Sequence, residues 1–291
     1  VFNYIRLDGE FPIIVSEKRA TRPHLTEKKH AKTTCPFCPG NEKNTPPPVL
    51  ERKRPDGSWY IRVFPNVFPF VRPDNAEAYG YHEVVVETDK HDTPLHALPS
   101  GHIAEIIEVW GEREYHMYGD PRIQYVSIFK NHGAAAGASI PHSHSQIAGI
   151  TFIPPRIEYR LRKYPPSPSI HVFSNEFWSV VVPMNPRYAY EVRIVPRFPV
   201  YHVYELNYEQ RLELAQILKA LLQRVTTVVD AYNIAVFTSP RDGMIPLHLE
   251  IYPRKNKHAG FELETGAYVV PVAPETAAKF YSAEEVFKNF V

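Results

Sequence analysis

The sequence predicts an α+β fold made by duplication. Two copies of one unit join their half-sheets into a single large, mainly antiparallel sheet with helices packed on it. Three observations carry this. First, four short blocks recur at nearly constant spacing. Phe64-Pro-Asn66-Val-Phe68 returns 109 residues on as Phe173-Ser-Asn175-Glu-Phe177. Tyr81-His-Glu83 returns 108 residues on as Ala189-Tyr-Glu191, and Val126 to Phe129 returns at the same offset as Ile234 to Phe237. His144-Ser-Gln146-Ile147 returns 104 residues on as His248-Leu-Glu250-Ile251. Self-similarity at one period marks a repeated structural unit.

Second, each copy holds one helix-like stretch. Ile103, Ile106, Ile107 and Trp110 form an apolar stripe in the first, and Leu214, Ile217, Leu218, Leu221 and Val225 form one in the second. Spacing of i, i+3, i+4, i+7 belongs to a buried helical face. Ser100 and Asn207 stand where N-caps are expected. Third, short β-branched runs flank both stripes, at 83–88 and 124–129, then at 191–195 and 233–237. Such runs read as strands. The units span about residues 45–155 and 165–265, with linkers at Pro47-Pro-Val49 and Tyr164-Pro-Pro-Ser-Pro-Ser169. The corresponding division of the chain is 1–160 and 161–291.

With 33 basic against 32 acidic residues, the net charge is +1. That balance argues against a protein that coats nucleic acid or an anionic membrane, since both need a surplus of Lys and Arg. No run approaches the ~20 apolar residues that span a bilayer. The first residues lack a charged-then-apolar signal pattern, so a cytoplasmic protein is expected. Proline is frequent, 29 of 291 residues, and implies many rigid turns. Only two cysteines occur, Cys35 and Cys38, which rules out a disulfide framework and leaves a metal or a redox pair.

The chemistry gathers in three stretches. In Cys35-Pro-Phe-Cys38-Pro-Gly-Asn-Glu, a C-x-x-C turn sets two thiolates at the bite of tetrahedral zinc. A redox disulfide is the competitor, although the following Pro39-Gly40-Asn41 favours a turn over a helix N-terminus. In Pro141-His-Ser-His-Ser-Gln146, strand alternation would place His142, His144 and Gln146 on one face. Just before it, Asn131-His-Gly133-Ala-Ala-Ala-Gly137-Ala-Ser139 is rich in small residues, which lets backbone N–H groups approach an anion closely. An imidazole beside such a loop can attack the α-phosphorus of a nucleotide and form a nucleotidyl-histidine. That role needs donors for the non-bridging oxygens and an acceptor holding the ring's other nitrogen as N–H.

At these residues the sequence resembles galactose-1-phosphate uridylyltransferase, a family of the histidine-triad superfamily. The resemblance runs from about residue 5 to 275 and includes an N-terminal arginine motif, Val15-Ser-Glu-Lys-Arg19-Ala-Thr-Arg22-Pro23. It implies a duplicated histidine-triad-like fold and a ping-pong transferase. His144 would take UMP from UDP-glucose and pass it to galactose 1-phosphate, with Gln146 hydrogen-bonding the transferred phosphoryl group. Asn131, Gly137 and Ser139 would surround the phosphates, Arg19 and Arg22 would supply charge, and Phe64, Asn66 and Phe68 would hold base and ribose. Cys35, Cys38, His91 and His142 would hold a structural zinc that clamps the N-terminal loop to the strand bearing His144. Phe261 and Glu264 match the family's hexose end loosely. A homodimer with shared active sites is implied.

Some members carry a second metal in the second half; here Glu250 stands where a histidine is expected and Arg160 lies in the region of the glutamate. No second metal is therefore expected, with His248 and Glu250 read as a buried hydrogen-bonded pair. Nothing in H-S-H-S-Q selects the base, so an ADP-glucose or dinucleoside-polyphosphate phosphorylase or adenylyltransferase is the alternative within the enzyme class. A zinc-stabilised RNA-binding module without catalysis is the alternative outside it. The absence of a basic stripe with interleaved aromatics argues against that module.

Overall fold

The computed structural model describes residues 3–21, 35–165 and 167–288. Two short strands, β1 (Asn3–Arg6) and β2 (Ile13–Ser16), pair antiparallel on their own. The remaining ten form one sheet, antiparallel at every pairing. The first five are β3 (Leu50–Lys53), β4 (Trp59–Pro65), β5 (Gly80–Val86), β6 (Tyr125–His132) and β7 (His144–Ile150). The second five are β8 (Ser169–Ser174), β9 (Trp178–Pro183), β10 (Val192–Pro196), β11 (Tyr232–Phe237) and β12 (His248–Pro253). Their order across the sheet is β3-β4-β5-β7-β6-β11-β12-β10-β9-β8. Read from either edge inward, each half follows the same course, so the duplicated unit is written into the topology. The halves meet where β6 pairs with β11, with Asn131 opposite Asn233.

Each half places its long helix between its third and fourth strands, α1 (Ser100–Tyr118) and α3 (Tyr208–Val225). Both stripes are buried as expected: Ile103, Ile106, Ile107 and Trp110 join Leu214, Ile217, Leu218, Leu221 and Val225 in one core, and the two helices pack on each other. Removing each such side chain from water contributes roughly 1.5–3 kcal/mol. Asn207 caps α3, its side chain accepting from the N–H of Gln210 at 2.9 Å. Ser100 does not cap α1. Pro99 holds the extended cap conformation and Ser100 becomes the first helical residue, so the helix begins one position earlier than expected.

The described residues also form four shorter helices, α2 (Pro155–Arg162), α4 (Gly260–Thr265), α5 (Pro274–Tyr281) and α6 (Glu284–Phe287). The expected division at residue 160 falls within α2, whose arginines reach across to the second half-sheet. No helix among the described residues is long and apolar enough to cross a membrane.

Sheet faces are fixed by Ser145, which accepts from Trp110 Nε1 at 2.8 Å and so points toward α1. By alternation, His144 and Gln146 point to the opposite face. That face is covered by the turn bearing Cys35, Phe37 and Cys38, which packs on Phe64, Val84 and Val86.

Candidate functional site

Three distant segments bring the thiols and imidazoles together. The Cys35–Cys38 turn closes through the N–H of Cys38 on the Cys35 carbonyl, at 3.2 Å, and Asn41 Nδ2 donates to the same oxygen at 2.8 Å. His91 follows β5, and His142 precedes β7. The strand begins at His144, so His142 lies just outside the regular alternation expected for it. One ligand atom from each of Cys35, Cys38, His91 and His142 lies within 4.8 Å of all the others, and all four residues are buried. Both cysteines are free thiols.

This set fits a tetrahedral metal. Bonds of ~2.3 Å to sulfur and ~2.1 Å to nitrogen at tetrahedral angles set S and N about 3.6 Å apart. His142 Nδ1 lies 3.6 Å from both sulfurs, and His91 Nδ1 lies 3.2 Å from Cys38 Sγ. The Nε2–H of His142 donates to the Thr88 carbonyl at 2.7 Å, which directs the Nδ1 lone pair at the thiols. Burial also pushes the His142 ring toward its neutral, ligating form and pushes the Cys35 thiol up. A divalent cation would reverse the latter.

Beside this cluster is a cavity of about 190 Å³ whose wall includes Phe37, Phe64, Asn66, Phe68, Ser139, His144 and Gln146, together with Asn44 and Thr45. Phe37 lies edge-on to His144, ring centroids 5.3 Å apart, and to His142 at 6.2 Å. His144 is buried, and its Nδ1 lies 2.8 Å from the carbonyl oxygen of His142, so that nitrogen carries the proton and the lone pair sits on Nε2. Gln146 Oε1 lies 3.3 Å from Asn66 Nδ2 and 3.0 Å from His82 Nε2.

Arg19, Asn131 and Gly137, also singled out in the sequence, are not among the residues that line this cavity. Arg19 donates to the Phe68 carbonyl at 2.9 Å and stands over the Phe70 ring, bracing the segment that bears Phe68. Arg22 lies outside the described residues. Asn131 continues β6 beyond its last registered pair with β7, Phe129 with Gln146, and its Oδ1 accepts from Asn233 at 2.8 Å. Gly133 and Gly137 both have φ near +80°, a conformation that L side chains rarely adopt, and they bracket one 3-10 turn. Asn233 also donates to the Ala136 carbonyl, tying this turn to the seam between the halves.

Sequence reasoning missed His82, Phe37, Thr88 and the buried pair Lys130–Glu87. Lys130 Nζ lies 2.6 Å from Glu87 Oε2 and 3.0 Å from the carbonyl oxygen of His144, on the sheet face opposite the ring. The only sequence signal for His82 was its place in a repeat block, two residues from Val84, which pairs with Gln146.

Residues 5–154 match the family model described as galactose-1-phosphate uridyl transferase, N-terminal domain, slightly more than half of the chain. The chain belongs to that family. An ADP-glucose phosphorylase of Arabidopsis thaliana is 28% identical, covering 92% of this chain and 88% of that protein. A galactose-1-phosphate uridylyltransferase of Thermotoga maritima is also 28% identical, covering 97% and 98%. Among solved structures, an ADP-glucose phosphorylase from Arabidopsis thaliana with bound ADP-glucose superposes with a TM-score of 0.81 at 26% identity, over 97% of this chain and 99% of that one. A uridylyltransferase structure superposes at 0.78 with 28% identity, over the whole of both chains.

Within this galactose-1-phosphate uridyl transferase fold, the second half repeats the local geometry of His144. His248 Nδ1 lies 2.7 Å from the Pro246 carbonyl oxygen, two residues back, as His144 Nδ1 does from that of His142. Here α2 seals the ring: Arg160 bonds to His248 Nε2 and to Glu250. The expected His248–Glu250 hydrogen bond is absent, because the closest approach is 4.0 Å and Arg160 supplies a partner to each. Burial and the Arg160 charge push His248 down to about 3. Burial would raise the Glu250 carboxyl, but Arg156, Arg160 and Arg193 hold it well below the usual range. Phe261 and Glu264 are exposed on α4 and do not reach the cavity of their own chain.

Proposed function

We propose that this chain is a nucleotidyltransferase that moves UMP from UDP-glucose to galactose 1-phosphate through a covalent uridylyl-histidine at His144. The observation that carries this reading is the His144 ring at the cavity wall, with Nδ1–H held by a backbone carbonyl and the lone pair on Nε2. Nε2 attacks the α-phosphorus, and the bond from that phosphorus to the bridging oxygen of glucose 1-phosphate breaks. The departing sugar phosphate carries the electron pair, and no proton has to move. The ring becomes a positively charged nucleotidyl-imidazole, which the His142 carbonyl stabilises through Nδ1–H. Galactose 1-phosphate then attacks the same phosphorus through a phosphate oxygen, and the Nε2–P bond breaks.

Gln146 donates to the transferred phosphoryl group, with Asn131, Gly137 and Ser139 around the phosphates and Arg19 and Arg22 supplying charge. The aromatic walls of Phe64 and Phe68, with Asn66, take the base and ribose. Cys35, Cys38, His91 and His142 hold a zinc ion, which supplies structure rather than chemistry by fixing the Phe37 turn over the cavity and the main chain leading to His144. Exposed Phe261 and Glu264 on α4 are suited to complete the hexose site of a second copy in a homodimer. The halves 1–160 and 161–291 act as one sheet in a cytoplasmic enzyme.

A second reading is favoured by the likeness to the Arabidopsis thaliana ADP-glucose phosphorylase: adenylyl in place of uridylyl transfer by the same His144. Intact-mass measurement after separate incubation with UDP-glucose and ADP-glucose tests both. A UMP adduct, removed on adding galactose 1-phosphate, supports the first reading. An AMP adduct alone replaces it with the second, and no adduct from either substrate refutes both.

A further inference from the structure

A glutamine amide has a donor end and an acceptor end, and only the donor end helps an anionic phosphoryl group. Which end Gln146 presents to the cavity is decided by two backbone N–H groups some distance away. The N–H of Phe68 donates to Asn66 Oδ1 at 2.9 Å, so the end of Asn66 that lies 3.3 Å from Gln146 Oε1 is its NH₂. The N–H of Phe70 points at His82 Nδ1 at 3.3 Å, so that nitrogen carries the lone pair. The ring proton of His82 is then on Nε2, 3.0 Å from the same Gln146 oxygen. If Nε2 instead accepted from Asn66, 3.2 Å away, the N–H of Phe70 would face an Nδ1–H. Two donors therefore converge on Gln146 Oε1, and its NH₂ is the end left to face the cavity it shares with His144.

We infer that His82 is a positioning residue for nucleotidyl transfer: it holds the Gln146 amide donor-outward, toward the phosphoryl group attacked by His144. This rests on the roles proposed above for His144 and Gln146. His82 is buried on β5, its ring packed on Phe70 with centroids 4.1 Å apart, so its Nε2–H is fixed in direction. Without it, one of the two anchors on Oε1 is lost. A turned amide would then set oxygen lone pairs against the non-bridging phosphoryl oxygens. Preorganised donors matter because they need no rearrangement as charge develops. Removing such a donor outright costs about 10²–10³ in rate, so loosening it is expected to cost roughly tenfold or more.

The experiment measures single-turnover adduct formation from whichever of UDP-glucose or ADP-glucose labels the wild-type protein, together with sugar-nucleotide affinity. His82→Phe keeps the packing on Phe70 and removes the hydrogen bonds. It is expected to slow adduct formation at least about tenfold with affinity nearly unchanged. His82→Gln, whose amide reaches the Nε2 position, is expected to recover most of the rate. His82→Asn, which mimics only Nδ1, is not. In a Gln146→Ala background, His82→Phe is expected to add nothing, whereas a merely structural role would multiply. Wild-type labelling rates in His82→Phe, multiplying effects, or equal rates for Asn and Gln would overturn the inference. If His82→Phe does not fold, the Gln–Asn comparison decides. A wild-type protein that takes no nucleotidyl group refutes the transferase reading itself, a result distinct from a labelled wild type with an unaffected variant.

Discussion

His144 Nδ1 lies 2.8 Å from the carbonyl oxygen of His142, whose own ring faces Cys35 and Cys38 at 3.6 Å. One residue thus joins the metal cluster to the ring proposed to carry the nucleotidyl group. Its side chain belongs to the cluster, and its main chain sets the tautomer and direction of His144. The cluster can therefore act on the reaction without touching substrate.

Metal removal should reveal that link as lost stability first. Cys35→Ser with Cys38→Ser, or treatment with a strong chelator, would leave the buried imidazoles of His91 and His142 without the zinc proposed above. A loss of about 3 kcal/mol would lower the thermal midpoint of a chain this long by roughly 5 °C. Metal analysis should give one equivalent per chain in the wild type and none in the double variant. A double variant that melts with the wild type would remove the structural role.

His144→Gly tests the opposite end of the same relationship. The ring lies edge-on to Phe37 and holds the His142 carbonyl through Nδ1–H, and it is not among the four clustered Cys and His side chains of the described residues. The variant should therefore bind metal and melt close to the wild type while forming no adduct with either sugar nucleotide. Substantial turnover by this variant, seen as product release under saturating substrate, would exclude His144 as the nucleophile.

Much of this arrangement was legible in the sequence because it rests on local pattern. The repeat offsets, the two apolar stripes and the alternation around His144 are each short-range signals, and the sheet order follows from using one unit twice. His91 was different. Nothing in Asp89-Lys-His-Asp92 distinguishes a ligand from a solvated loop residue, and only folding brings it 3.2 Å from Cys38. The carbonyl that holds His144 depends on where β7 begins, and the strand starts two residues later than alternation alone suggested. His82 was illegible for the same reason, since its meaning comes from the N–H of Phe70 and from the neighbouring strand. In the second half, Arg160 comes between His248 and Glu250 because α2 crosses from the first half, a long-range placement that no spacing encodes.

Behind the site, Lys130 and Glu87 form a fully buried ion pair, with Ser143 donating to the same carboxylate oxygen at 2.6 Å. Lys130→Met leaves a buried carboxylate without its cation and should cost about 3–5 kcal/mol. Among the described residues Glu87 Oε1 meets no hydrogen-bond donor, so the pair is incompletely satisfied within them. Replacing both, as Lys130→Met with Glu87→Leu, should accordingly recover most of that stability. Urea midpoints of the single and double variants measure this. A double variant no more stable than the single would show that the cost arises from lost packing rather than from the stranded charge.

His248 makes a prediction about acid. Its folded value, near 3, lies well below the ~6.5 of an unfolded histidine. Above pH 6.5 the ring is neutral in both states and its contribution to stability is complete. As pH falls, the unfolded chain takes up a proton that the native ring, sealed by Arg160, does not. Stability then drops by about 1.4 kcal/mol per pH unit until the folded value is reached. Burial likewise pushes His132 down, to about 4, which adds to this slope, while buried carboxyls raised by burial, such as Glu114, oppose it. The informative quantity is therefore a difference between proteins. His248→Gln keeps an acceptor for Arg160 but cannot titrate. Urea unfolding between pH 5.5 and 4.5 should show its slope flatter than the wild type's by about 1.4 kcal/mol per unit. Parallel slopes would mean that His248 gains its proton in the native state as readily as in the unfolded chain, and that Arg160 does not seal it.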